Sequence, residues 1–231
     1  MVFVEGTHGS PYSFGEGTET ATVEVSDFYI GKHAVTNALW HRVMDAPGAG
    51  AVERALHPKL EVSWLHITEP GGFLDRLNSS SVFEELIPPA LRSSSLCFRL
   101  PTETEWEYAA RGGPHWRDGF RFSGSDDITA VGWYLDNSNG QTHPVATKNA
   151  NQLGIYDMCG NIWEWCQDTF HRDVRNIPTD GTAAAGSANE RILRGGCFHN
   201  RAIHCTVSKR YEIGRECHDG CIGFRLAISA K

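Results

Sequence analysis

Seven side chains that can ligate a soft metal fall within the span 197–221: Cys197, His199, His204, Cys205, Cys217, His218 and Cys221. Thiolates and imidazoles together hold zinc, and His204-Cys205 with Cys217 and Cys221 would supply four ligands. The Cys-x-x-x-Cys spacing and the adjacent His-Cys match no common structural-zinc pattern, however. A second use of such a stretch is display. Phe198, Ile203, Tyr211 and Ile213 offer apolar area, while the histidines with Asn200, Arg201, Thr206, Ser208, Arg215 and Asp219 offer adaptable polar contacts. A third reading is an inert, divergent surface loop.

These residues need a frame, and the flanking sequence reads as one. Ile192 and Leu193 precede Gly195-Gly196, and Ile222, Phe224 and Leu226 follow at period two, as in a pair of core strands. Earlier in the chain, MVFVEG reads as a short strand, and Val23, Val25, Phe28 and Ile30 suit strands with one buried face. Thr36 can cap a helix carrying Leu39, Trp40, Val43 and Met44 and stopped by Pro47 and Gly48, with Trp40 expected in the core. VSWLHI is either strand-like or a turn into a helix through Phe73, Leu74 and Leu77, and Pro88-Pro89 with Ser93 to Ser95 marks a loop.

The clearest helix is PTETEWEYAARGG, where Thr102 and Glu105 form a capping box, Glu103 and Glu105 suit the positive end, and Trp106, Ala109 and Ala110 face inward. From Gly113 to Gly154 the pattern breaks into short strands and loops. Their clustered Asp and Asn, Asp136 and Asn137 among them, suit either Asx turns or calcium. GIYDMCGNIWEWCQDTF then brackets Asp157, Asn161 and Glu164 with Tyr156, Trp163 and Trp165, and a polar loop runs from Arg172 to Asn189.

The 231 residues, 40% apolar and 21% charged, are enough for one large domain with a sizeable core, expected here as a single domain over 1–231. No apolar run approaches the roughly 18 residues of a membrane span. A net charge of -7 without a basic run argues against a nucleic-acid groove, which needs clustered cations. Cys97, Cys159 and Cys166 sit in apolar surroundings and are expected as buried small hydrophobes. The start MVFVEGTHGS lacks the basic region of a secretory signal, which makes cytoplasm the default address, or a virion or cell surface reached through a partner.

Five blocks in order, FYIGKHAVTNALW, RLPTETEWEYAARGG, GIYDMCGNIWEWCQD, RILRGG and IGFRL, resemble the formylglycine-generating-enzyme (sulfatase-modifying-factor) domain over nearly the whole chain. The resemblance implies an α+β C-type-lectin-like fold, irregular and loop-rich, with few helices around small antiparallel sheets. It also implies a structural calcium held by the Asp157 and Glu164 side chains and the Gly160 and Ile162 carbonyls, hard oxygens of the kind calcium takes. Glu164 could instead cap or pair in the core. Oxidases of the family use two cysteines five residues apart after the Gly-Gly block, because paired thiolates bind Cu(I). Here those positions are Asn200 and Cys205, so the pair is broken unless Cys197 or another thiol substitutes.

A second group resembling this fold accounts better for the segment: the variable proteins of diversity-generating retroelements, whose last segment is rewritten at template adenines. Most residues between Cys197 and Cys221 are reachable from asparagine codons by such changes, with Lys209, Glu212, Glu216 and a fixed-looking Val207 outside the set. The resemblance implies a non-catalytic binder of a protein or cell-surface ligand, with 191–226 as its variable segment. It predicts Phe198, His199, Arg201, Ile203, His204, Tyr211, Ile213, Arg215, His218 and Asp219 exposed together on one face. The alternative is an oxidase acting on a cysteine or other soft substrate through Cys205 with Cys197.

Overall fold

Apolar alternation builds the first strands, β1 (Val2–Val4), β2 (Tyr12–Glu16), β3 (Glu19–Val23) and β4 (Phe28–Ile30), and Val4, Tyr12, Phe14, Val23, Phe28 and Ile30 are all buried. The computed structural model describes residues 1–44, 53–87, 91, 96–186 and 189–229. The helix stop read at Pro47 and Gly48 and the loop read at Pro88, Pro89 and Ser93 to Ser95 lie outside these residues. Thr36 Oγ1 accepts the Leu39 N–H at 3.3 Å and opens α1 (Asn37–Met44). Trp40 of α1 is only half-buried, stacked on Phe73 at 5.1 Å between ring centroids. VSWLHI resolves as helix: Ser63 accepts from His66 N at 3.0 Å and starts α2 (Trp64–Thr68), followed by α3 (Phe73–Asn78) and α4 (Ser81–Leu86).

Thr102 and Glu105 make both bonds of the capping box that opens α5 (Glu103–Ala110), and all eight residues of this helix are buried. Between Gly113 and Gly154 the described residues carry turns, a 3-10 stretch and α6 (Ile128–Val131), with a lone bridge Phe122↔Ser125 where short strands were expected. Asx chemistry is the reason: Asp127 Oδ1 accepts Thr129 N, and Asn137 Oδ1 accepts Tyr134 N at 2.8 Å while its Nδ2 donates to Gly132 O. Both polar ends of Asn137 are thus used by its own turn rather than by a cation.

The last strands are β5 (Trp163–Thr169), β6 (Glu190–Arg194), β7 (Arg210–Gly214), β8 (Ile222–Phe224) and β9 (Ala227–Ser229). They form a sheet ordered β7-β6-β5-β8, while β9 joins the first strands as β1-β4-β9 and β2-β3 stands as a hairpin. β5 lies antiparallel to β6 and parallel to β8. Both faces of this sheet are covered. Trp163, Trp165, Leu193 and Phe224 pack with Val62, Ile67 and Phe73, whereas Cys166 and Ile192 pack with Trp106 and Tyr108 on the other side.

A buried charge network joins α5 to this sheet. Arg194, with no exposed side-chain surface, donates to Glu107 Oε2, and its Nε lies 3.3 Å from Glu103 Oε1 without hydrogen-bond geometry. Arg210 holds Glu103 with two bonds of 2.6 and 2.7 Å, and Tyr12 and Arg111 complete Glu107. Nearby, Asp168 accepts from Glu103 N and Ala184 N. Burial first, then the Glu103 charge, pushes its carboxyl up from 3.8 to about 7.

The native state therefore binds a proton on Asp168 at pH values where the unfolded chain has released it. Stability is expected to fall as pH rises from about 4 to about 7, by at most ~4 kcal/mol. Urea unfolding across that window should show the decline. Asp168→Asn, which offers one acceptor in place of two, should be less stable at pH 4 but lose this slope.

Candidate functional site

The exposed segment hangs between two strands of one sheet. After β6, Gly195 (φ 97°) and Gly196 (φ 74°) turn the chain, and the Gly195 carbonyl accepts Gly160 N at 2.8 Å. Asn200 Oδ1 then accepts Cys197 N at 2.9 Å while Asn200 N donates back to the Cys197 carbonyl at 2.9 Å, closing a four-residue turn from both ends. A single 3-10 turn, Ala202–His204, leads to β7 at the sheet edge, and residues 215–221 return to β8. Arg194 donates to the carbonyls of Val207 and Lys209, so the charge network also holds the base of the segment.

On this frame His199, Arg201, Ile203, His204, Tyr211, Cys217, His218 and Asp219 are exposed, and Asn200, Ser208, Ile213, Arg215 and Cys221 are half-buried. Cys197, Phe198, Cys205 and Thr206 are buried, contrary to a surface role for them. Phe198 turns inward because its backbone is bound on both sides, N–H to Asn161 O and carbonyl to Ser138 Oγ, and its ring joins the Trp163 core. Cys205 packs in the opposite core, directly under Gly196.

The exposed residues also divide between two faces rather than sharing one, and the period of β7 is the cause. Tyr211 sits opposite Leu193 and lies 5.6 Å from the Trp163 ring, on the side where His218 meets His66. Glu212, opposite Ile192, points to the other side with Arg210. There Ile203, His204, Thr206 and Ser208 line a groove of ≈ 760 Å³ against Glu16 and Glu19 of the β2-β3 hairpin, with Arg121 and Arg172 beside them. Ser208 Oγ donates to Glu16 across 192 residues of sequence. The hairpin and arginine walls carry no local sequence signal, because only the fold brings them to the segment.

Among the thiols, the neighbouring Cys221 side chain holds the Cys197 pKa below its ordinary value despite burial, and that of Cys221 is raised. Burial pushes the Cys205 thiol well up, with Cys159 and Cys197 nearby. Cys159 and Cys166 are buried as expected, but Cys97 is exposed, because Leu96 and Phe98 on either side of it face the core and turn the residue between them outward. His204, Cys205, Cys217 and Cys221 do not converge as a zinc set would require, with Cys205 in one core and Cys217 at the surface. Among the described residues no three His, Cys, Asp or Glu side chains come together as a metal site.

The calcium positions fit in part. Asp157 (φ 57°), Gly160 (φ 82°) and Asn161 (φ 63°) curl the loop, and Asp157 Oδ1 is buried with no hydrogen-bond partner while Oδ2 accepts Ala146 N. Burial pushes that carboxyl up to about 6. Glu164 does not fit. Arg225 holds it with bonds of 2.5 and 2.7 Å and Trp106 Nε1 adds a third at 2.7 Å, so its charge is already matched. Arg225 is the middle of the GFRL motif, and a charge inside an apolar strand end was the available sign of a buried partner.

Residues 1–230 match the sulfatase-modifying factor enzyme 1-like domain. The chain belongs to that family. Its relatives include the chaperone protein LppX of Paenibacillus barcinonensis, 33% identical over 72% of this chain and 70% of that protein. Another is the formylglycine-generating enzyme of Streptomyces coelicolor, 29% identical over 94% of this chain and 85% of that one. Among solved structures, Treponema denticola variable protein 1 superposes with a TM-score of 0.76 and 27% identity, covering 100% of this chain and 95% of the other. The fold is therefore the irregular, loop-rich α+β C-type-lectin-like arrangement of the formylglycine-generating-enzyme type, and its likeness extends to a variable protein. Among the described residues no helix is long and apolar enough to cross a membrane.

Proposed function

We propose that the whole chain acts as one domain, a non-catalytic variable protein of a diversity-generating retroelement that binds a protein or cell-surface ligand with side chains of 197–221. The observation that carries this reading is the division within one continuous segment. Its ends and underside are clamped by Arg194, Asn200 and the Gly195-Gly196 turn, while His199, Arg201, Ile203, His204, Tyr211, His218 and Asp219 are exposed at the surface. Ile203 is 59% and Tyr211 47% exposed, which leaves their apolar area available for contact. The groove beside Ile203 and His204 and the aromatic face around Tyr211 give two contact surfaces, on opposite faces of β7.

Diversification predicts a near-copy of the codons for 197–221 close to the gene, differing only where the copy carries adenine, with a reverse-transcriptase gene nearby. Sequencing the flanking DNA tests this, and absence of any copy defeats the reading. A protein-level check accompanies it: Ile203→Ser should change unfolding free energy by no more than about 0.5 kcal/mol, and Tyr211→Ser by about 1 kcal/mol, the worth of its ring contact with Trp163. A larger loss would return these residues to the fold.

The competing reading, a thiol-dependent oxidase, draws on the Streptomyces coelicolor relative. Asn200 in the first thiol position, engaged with Cys197 N, and the fully buried Cys205 favour binding over oxidation. Cu(I) titration with Cys205→Ser as control separates the two readings.

We also propose calcium at Asp157 with the carbonyls of Gly160 and Ile162, stiffening the floor beneath Phe198. Calcium should raise the melting temperature of the protein, a chelator should lower it, and Asp157→Asn should remove the difference. An unchanged melting temperature on chelation would count against the site.

A further inference from the structure

A chain of net charge -7 carries two arginines without a charge partner in the wall of one groove. The groove, of ≈ 1000 Å³, runs between the β2-β3 hairpin and residues 116–121, beside Val207 and Ser208. Arg111 lines it but is already committed, its Nε to Glu107 and its Nη2 to the Gly15 carbonyl. Arg117 and Arg121 are exposed, lie over the Trp116 and Phe122 rings at 4.4 and 5.6 Å, and form no ion pair among the described residues. The acids near them in the chain are engaged elsewhere: Asp118 accepts from Gln152 Nε2, and Asp126 accepts from the backbone Arg121 N. Among the described residues Glu16 is the one carboxylate in the wall, and Ser208 donates to it.

The walls are fixed by the fold. Gly112 and Gly119, at φ 88° and 71°, bound the 3-10 stretch Gly113–Asp118 that carries Trp116 and Arg117, and Trp116 packs edge-on against Tyr12 at 5.3 Å. The Arg121 backbone is bonded on both sides, its N–H to Asp126 and its carbonyl accepting Val207 N at 3.2 Å. Both guanidiniums thus stand on a rigid base with their own donors unspent. This groove meets the one lined by Ile203 and His204, because Gly15, Glu16, Arg121 and Ser208 belong to both walls. Beyond the Glu16–Ser208 bond the track continues with Arg172 and Lys209 among Glu19 and Glu212.

We propose that the groove at Arg117 and Arg121 docks an acidic peptide segment of a partner protein. The two guanidiniums take its carboxylates, and Trp116 and Phe120 take its apolar side chains. A guanidinium offers a planar pair of donors that matches a carboxylate. The spacing of charge favours a peptide over a nucleic acid: arginines and Lys209 are interspersed with Glu16, Glu19 and Glu212, so a strand carrying an anion at every unit would meet repulsion at each acid. A chain with separated carboxylates avoids it. The site lies outside residues 197–221 apart from Val207 and Ser208, and it does not require those residues to be diversified.

The test is fluorescence anisotropy on the full chain with a labelled peptide of Glu-Leu-Ser repeats. The same peptide with Gln for Glu and an oligothymidylate serve as comparisons. The Glu peptide is expected to bind, more weakly as salt rises, and the other two not to bind. Arg117→Ala and Arg121→Ala should each weaken binding about 2–5-fold, and the double variant about 4–25-fold. Glu16→Gln removes the carboxylate of the groove while keeping an acceptor for Ser208, and should strengthen binding about 2–5-fold. Tyr211→Ser, on the Trp163 side of the sheet, should leave affinity unchanged. Circular dichroism checks that each variant is folded. No binding of the Glu peptide, equal binding of the Gln peptide, tighter binding of the oligothymidylate, or folded arginine variants that bind like the parent would each overturn the proposal.

Discussion

Arg194→Ala is expected to destabilise the protein by ~3–5 kcal/mol, a large part of the stability of a domain this size. Arg194 has no exposed side-chain surface, and its guanidinium is shared among Glu107, Glu103 and the carbonyls of Val207 and Lys209. Removing it leaves Glu107 buried with Arg111, Tyr12 and Gly15 N as remaining partners, and strips two carbonyls of their donor. The cost is that of an undercompensated charge rather than of one lost contact. Urea unfolding measures it, with Arg42→Ala as the contrast. Arg42 and Glu85 also pair at 2.6 Å, but both are more than half exposed, and that change should cost no more than about 1 kcal/mol. Equal losses for the two variants would mean that burial is not what gives Arg194 its weight. Because Arg194 also holds residues 207–209, its loss should raise hydrogen exchange in the segment before the rest of the sheet.

Gly196→Ala is expected to cost about 2–5 kcal/mol, combining left-handed backbone strain with overpacking. The residue has φ 74°, and a Cβ there would stand 2.6 Å from both the Cys205 sulfur and the His204 carbonyl oxygen. The backbone carbonyl belongs to the 3-10 turn that carries Ile203 and His204, so the strain would be passed directly to the exposed residues. Gly220→Ala is the matched control, since a Cβ there meets nothing within 4 Å and needs no positive φ. Thermal unfolding of the two variants should therefore differ by several degrees. Comparable stability would show that the Gly-Gly turn tolerates a side chain and does not fix the segment.

Much of the frame was legible because its signals are local. Thr102 and Glu105 form a capping box wherever a helix follows, and the alternation of Val23, Val25, Phe28 and Ile30 states a buried face without reference to the rest of the chain. Ile192, Leu193, Ile222 and Phe224 marked the buried strands that flank the segment in the same way, and the contrast with the residues between them marked the segment as different. The order of the motif blocks added the family and with it the fold.

Which residues of the segment reach the surface was decided only by tertiary structure. Phe198 and Ile203 look alike in the sequence, yet one is 6% and the other 59% exposed, because Asn161 and Ser138, both distant in the chain, bind the backbone of Phe198 and draw it inward. The split of Tyr211 and Glu212 to opposite faces needed the register of β7 against β6, and the groove needed a hairpin some 190 residues away, as the Ser208–Glu16 pair shows. Glu164 read equally as a cation ligand or a core partner until Arg225 was placed beside it. The sequence by itself determined which residue types the segment offers and which elements hold it, because helix caps and apolar periods act over a few residues. Exposure and partners depend on contacts between distant parts of the chain, and those exist only once the two cores have packed.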